Sequence, residues 1–186
     1  MTDKIRLRDI AGYCPEEAIW KMLAELSRLL DDDIGKHSPN PDSILVVGDS
    51  FVVDTGVVAE EEFLAPEHHE GQAVTAEQAV WALGATAYYM ATGHAMFGGY
   101  GGKYQHLHPR VTLPNMPKAF YALTPVFHKC VSSQPTERIN LRELANLADK
   151  GLETCSRKQR EAKKKEPFTE TGTSHHDRWP EEMTEI

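Results

Sequence analysis

TAEQAVWALGATAYYMAT, residues 75–92, is the stretch on which the fold turns. After a polar start it is apolar on nearly every side of a 3.6-residue period. The helix it predicts must therefore run through a core and not along a surface. Thr75 and Gln78 suit the N-cap and N3 positions of a capping box, which fixes where this helix starts. A helix buried all round needs partners all round, so the flanking sequence has to supply them.

Upstream, EEAIWKMLAELSRLLDD (16–32) carries apolar residues at 19, 20, 22, 23, 26, 29 and 30, a one-sided helical stripe. Glu16 and Glu17 follow Pro15 and suit a first helical turn. IGKHSPNPDS (34–43) has two prolines and no period, and reads as loop. SILVVGDSFVVDTG (43–56) has two short β-branched runs around Gly48-Asp49-Ser50, the pattern of a β-hairpin. Downstream, 93–117 is rich in Gly, Pro, His and Tyr and reads as a long loop with room for one short helix. Residues 118–132 and 140–154 read as two further helices, the second capped by Asn140 with Glu143 at N3. After about 155 apolar residues become sparse. The expected architecture is a mainly α domain over 1–155 with one small β-hairpin, followed by a charged, disordered tail over 156–186.

The chain has 186 residues and a net charge of −8. Residues 1–70 hold 6 basic against 16 acidic side chains, while 71–155 hold 7 against 5. The deficit lies in the first third, densest at Asp31-Asp32-Asp33 and Glu60-Glu61-Glu62. Acidity argues against nucleic acid and against an anionic membrane as partners, since both need a basic surface. Solvation accounts for such runs in most proteins, but here they also define a candidate docking face for a basic protein segment. No window of about 18 apolar residues exists to span a membrane, and MTDKIRLRDI lacks a secretory core. Cys14, Cys130 and Cys155 are odd in number and form no CxxC pair, which suits a reducing cytoplasm.

Several motifs could carry chemistry. FVVDTG (51–56) has the apolar-apolar-Asp-Thr-Gly pattern that an aspartic-type protease places at its catalytic turn, which would make Asp54 one half of a carboxylate pair. That chemistry belongs to β-rich chains, and this chain turns helical beyond the turn. His68, His69, His94, His106 and His108 lack metal-ligand spacing, so no metal is expected. The glycines at 98–102 are followed by no Gly-Lys-Ser/Thr and form no phosphate loop. The basic run RKQREAKKK (157–165) reads as a solvated helix end.

A second pattern spans more of the chain. FLAPE (63–67) follows the Asp-Thr-Gly turn, then comes VWALGATAYYMATG (80–93), then QPTERINLRELA (134–145). In this order they resemble the carboxy-terminal lobe of a eukaryotic-type protein kinase, over about residues 7–152. Ala65, Pro66 and Glu67 match the Ala-Pro-Glu that closes that family's activation segment. Val80, Trp81, Leu83 and Gly84 match its core-helix string. Arg138, shortly after Pro135, matches the arginine that pairs with the Ala-Pro-Glu glutamate. The resemblance thus implies a buried Glu67–Arg138 ion pair, with Trp81 and Pro66 as scaffold.

The same resemblance implies that catalysis is lost. Phosphoryl transfer needs a catalytic Asp, a metal-binding Asn and Asp, and a nucleotide lobe with its Gly-rich loop, Lys and Glu. Against the family's catalytic loop, Lys36 and His37 stand for His and Arg, Ser38 for the catalytic Asp and Ser43 for the metal Asn. Pro41, Ile44 and Leu45 keep scaffold roles. Asp54 keeps the metal-binding position, and Ala79 replaces the core-helix Asp. About a dozen residues precede the first long helix, too few for a nucleotide lobe. The pattern is similar to the kinase non-catalytic C-lobe domain, a stand-alone binding module whose opening IRLRDIAGYCPEEAIWKML resembles. The implied function is an inactive, cofactor-free scaffold for a protein partner. The alternatives are the aspartic-type protease and a pseudokinase with residual nucleotide binding.

Overall fold

The computed structural model describes residues 4–32 and 38–165. Its elements run β1 (Lys4–Arg6), α1 (Leu7–Ile10), α2 (Glu16–Asp32), β2 (Ile44–Val47), β3 (Ser50–Val53), α3 (Ala76–Thr92), α4 (Gly101–Leu107), α5 (Thr124–Cys130) and α6 (Leu141–Lys165), with short 3₁₀ turns between. The domain is mainly α with a small antiparallel sheet.

Helix α3 is the axis. Val80, Trp81, Ala82, Leu83, Ala85, Ala87 and Met90 are all buried, so the helix meets protein on every side. Its capping box is complete: Thr75 Oγ1 accepts from the Gln78 amide at 3.3 Å, and Gln78 Oε1 accepts from the Thr75 amide at 3.1 Å. Gly93 ends it in the left-handed region with φ 72°, donating its N–H to Tyr89 O at 2.7 Å. At Gly84 a Cβ would stand 2.6 Å from Cys130 Cβ, so the absent side chain sets how closely α5 packs on α3.

Helix α2 buries Ile19, Trp20, Met22, Leu23, Leu26 and Leu30, while Leu29 sits at the edge of the stripe and stays exposed. Its main partner is α6, and the two touch so closely that a Cβ on Gly151 would collide with the Trp20 ring. Asn140 caps α6, its Oδ1 accepting from the Glu143 amide at 2.9 Å. The helix runs past the boundary expected at 155 and continues to Lys165, so the first ten residues of the expected tail are helical. Residues 166–186 lie outside the described residues.

The expected hairpin is present, Ile44–Val47 pairing with Ser50–Val53, but it is two-thirds of a three-stranded sheet. The third strand is β1, which pairs Ile5 with Val46 and Arg6 with Leu45. Three exposed residues, Lys-Ile-Arg, carry no strand pattern of their own. The edge of the hairpin imposes one. The 93–117 stretch contains the expected short helix, α4, and 118–132 resolves into a 3₁₀ segment (Lys118–Leu123) followed by α5.

Candidate functional site

The loop before β2 is built from its own polar groups. The Asn40 amide donates to Ser43 Oγ at 2.9 Å, and Ser43 Oγ donates to Asn40 O at 3.1 Å. Asn40 Oδ1 accepts from the Asp42 and Ser43 amides at 3.0 and 3.1 Å. Asn40 and Ser43 are both buried. The Ser43 hydroxyl is thus committed to the turn, where a metal ligand would have to face outward. Ser38 lines the adjoining cleft. Lys36 and His37 lie outside the described residues.

Asp54 follows β3. Its amide donates to Ser43 O at 2.6 Å, tying it to the same loop, and its carboxylate accepts from the Gly56 amide at 3.1 Å. The cation beside it is Arg6, at 3.9 Å. A protease dyad would need a second carboxylate sharing a proton with this one; the partners of Asp54 are a backbone amide and a guanidinium.

Glu67 and Arg138 form a two-pronged pair, Nη1 to Oε1 at 2.6 Å and Nη2 to Oε2 at 2.7 Å. The Arg138 side chain is 0% exposed. Its remaining donors reach Ser132 O at 2.8 Å and Glu77 O at 2.9 Å, so one guanidinium ties the 64–67 turn to the start of α3 and the segment after α5. Trp81 is fully buried and donates Nε1–H to Gln105 Oε1 at 2.9 Å. Gln105 in turn donates to Val131 O at 2.8 Å. Pro66 lies where α4 arrives, and a side chain on Gly102 would collide with the Ala65–Pro66 backbone.

These parts enclose a cleft of about 910 Å³. Ser38, Ser43, Asp54 and Pro66 line it together with His68, His69, His106, Glu61, Glu70 and Lys103. Its lining is more apolar than polar and includes the carboxylates of Asp54, Glu61 and Glu70. Among the described residues no three of His, Cys, Asp and Glu come together in a way that could hold a metal ion.

A second cluster, of which the sequence pattern offers only Glu60 as a candidate, is centred on Arg8. Arg8 Nε donates to both Asp42 oxygens at 2.7 and 2.8 Å, and its Nη2 pairs with Glu60. Its Nη1 reaches Tyr89 OH at 3.3 Å, and the guanidinium lies 5.4 Å from the Tyr89 ring centroid. The Arg8 hydrogen bond holds the Asp42 carboxyl below its usual range. Desolvation, then contacts with Asp42 and Glu62, push Glu60 up to about 6. Of the two carboxylates, Glu60 is therefore the first to take a proton as pH falls, while Asp42 keeps the charge that Arg8 matches to lower pH. Composition marks Arg8 alone, as one of six basic residues in a block otherwise crowded with acids, and does not name its partners.

The two acidic runs are not brought together in one pocket. Glu61 and Glu62 belong to the 3₁₀ turn against α4, and Glu61 pairs with Lys103 at 2.9 Å. Asp31 and Asp32 line a separate groove between α2 and α6, where Asp31 lies 3.7 Å from Arg142. Asp33 lies outside the described residues. Cys14, Cys130 and Cys155 are unpaired and buried, and burial pushes the Cys130 thiol up to about 12. Among the described residues no helix is long and apolar enough to cross a membrane. No family model matches this chain, and no curated protein matches it.

Proposed function

We propose that this chain is a non-enzymatic protein-docking module, a kinase-like C-lobe without catalytic groups, whose cleft receives a basic segment of a partner in the cytoplasm. The observation that carries the reading is the commitment of Ser43 and Asp54 to holding the 40–56 turn. The positions that would hold metal in an active relative are spent on structure, while the cleft beside them stays open with Glu61 and Glu70 in its lining. Carboxylates in the lining of a largely apolar cleft suit a cationic segment with an apolar anchor. Three buried, unpaired thiols fit a reducing compartment.

Binding of a labelled nona-lysine peptide, followed by fluorescence anisotropy across a salt series, tests this. The double variant Glu61→Lys, Glu70→Lys should lose most of the affinity and flatten the salt dependence. A control of equal charge change on α6, Glu153→Lys with Glu161→Lys, should lose much less. Equal losses would reduce the effect to net charge and remove the cleft from the proposal. ATP with Mg²⁺ should leave the melting temperature unchanged, and a dose-dependent rise would overturn the non-enzymatic reading in favour of nucleotide binding.

A further inference from the structure

A row of rings runs from the turn before α4 to the residue after it, with Phe97 and Tyr104 half-buried and Tyr100 exposed. Phe97 stacks on Tyr104 at 5.2 Å, Tyr100 lies 6.4 Å from Tyr104, and Tyr104 lies 4.5 Å from His108. Tyr100 is 63% exposed and Leu107 is 64% exposed. Positions 100, 104 and 108 share one helical face, with 103 and 107 on its flank. Phe97 holds its ring there from a left-handed backbone, φ 52°, a conformation that a bulky residue adopts only when its surroundings enforce it.

Carboxylates stand against the same helix. Gly101 presses on the Glu62 backbone so closely that a Cβ would lie 2.5 Å from Glu62 O, and a Cβ on Gly99 would lie 3.4 Å from Glu62 Oε2. Glu61 reaches Lys103 on the flank of the row. Both residues of that ion pair are exposed, so it yields readily to a competing cation.

The molecule already shows what such an arrangement holds. One residue earlier in the acidic run, Glu60 helps Asp42 to seat Arg8 against the Tyr89 ring. That is the only cation–π pair among the described residues. Glu61 and Glu62 lie against the helix that carries the exposed Tyr100 ring, and the cation of the chain's own there is the Lys103 ammonium, not a guanidinium. A flat, weakly hydrated guanidinium stacks on a ring while its edge donors reach a carboxylate, whereas an ammonium is a hydrated point charge that does this poorly.

We propose that the ring row of α4 and the Glu61–Glu62 pair form a docking surface selective for arginine over lysine in a partner segment. This rests on the proposed docking function and extends it, since Lys103 on the flank of the row also lines the cleft. The test compares nona-arginine with nona-lysine on the full chain by fluorescence anisotropy. The wild type should bind nona-arginine about fivefold or more tightly than nona-lysine. Tyr100→Ala should bring that ratio close to one while leaving nona-lysine affinity in place, and Tyr100→Phe, which keeps a ring, should restore it. Circular dichroism of each variant checks that the fold persists, as expected for so exposed a side chain. A wild-type ratio near one, or a preference that survives Tyr100→Ala, overturns the arginine surface while leaving the docking module standing. Failure of both peptides to bind overturns the module and the surface together.

Discussion

Two arginines anchor this domain, and they live in opposite surroundings. Arg138 is sealed from water, meets one carboxylate in a two-pronged pair, and spends its other donors on backbone carbonyls. Arg8 is 31% exposed and meets two carboxylates and a phenol. The first arrangement has no spare charge to rearrange. The second has one carboxylate more than it has guanidinium charge, and the crowding shows as a Glu60 pKa pushed up to about 6. A lone buried pair fixes geometry, whereas a crowded half-exposed cluster responds to its medium.

The largest effect should come from breaking the buried pair. Glu67→Ala leaves Arg138 charged, dry and unmatched, and should cost about 3–5 kcal/mol in urea unfolding. A loss below about 1 kcal/mol would mean that water reaches Arg138 and that the contrast with Arg8 is false.

Arg8→Met should cost about 2 kcal/mol, because it strands Asp42 half-buried without its hydrogen-bonded cation. The same variant should raise the apparent pKa of Asp42, readable by carboxyl NMR titration, since Arg8 is the first cause of its lowered value.

A smaller effect sits on pH. Because Glu60 holds its proton more tightly folded than unfolded, its contribution is complete below about pH 4.5 and is lost as pH rises through about 6. With the Glu60 side chain 41% exposed, solvent screening limits the loss to less than about 1 kcal/mol. Asp42 acts in the opposite sense, its contribution present above the usual carboxylate range and lost as pH falls below it. Glu60→Gln should remove the decline between about pH 4.5 and 6, and an unchanged stability profile would show that another group titrates there. Smallest of all, Lys103→Ala should leave the melting temperature where it is, since its pair with Glu61 lies in open water.

The long helices were legible because each states its own pattern. The stripe of α2 and the all-round apolarity of α3 with its Thr75–Gln78 box fix their ranges without reference to anything distant. The Glu67–Arg138 pair was legible only through the kinase-like resemblance, as 71 residues separate its members. What stayed hidden depends on contact. β1 is a strand because the hairpin edge pairs with it. The 98–102 glycines read as slack, yet Gly101 and Gly102 are needed because α4 rests on the Glu62–Pro66 backbone. The charge run 157–165 reads as a solvated helix end and is the last part of α6, but its contact with α2, Gln159 donating to Glu17 at 2.7 Å, is announced by no pattern. The Arg8 cluster gathers groups from four separate segments, and no spacing announces it.

The seam between α2 and α6 has a consequence for how the chain is made. Arg28 on α2 and Asp149 on α6 are 121 residues apart, so the first long helix leaves the ribosome well before its main partner exists. At roughly 5–20 residues per second, that interval is about 6–24 s. Throughout it the Trp20 face lacks the helix that covers it in the finished domain. The newborn chain therefore offers chaperones a defined hydrophobic target, withdrawn only when Gly151 emerges and lets α6 close against the ring.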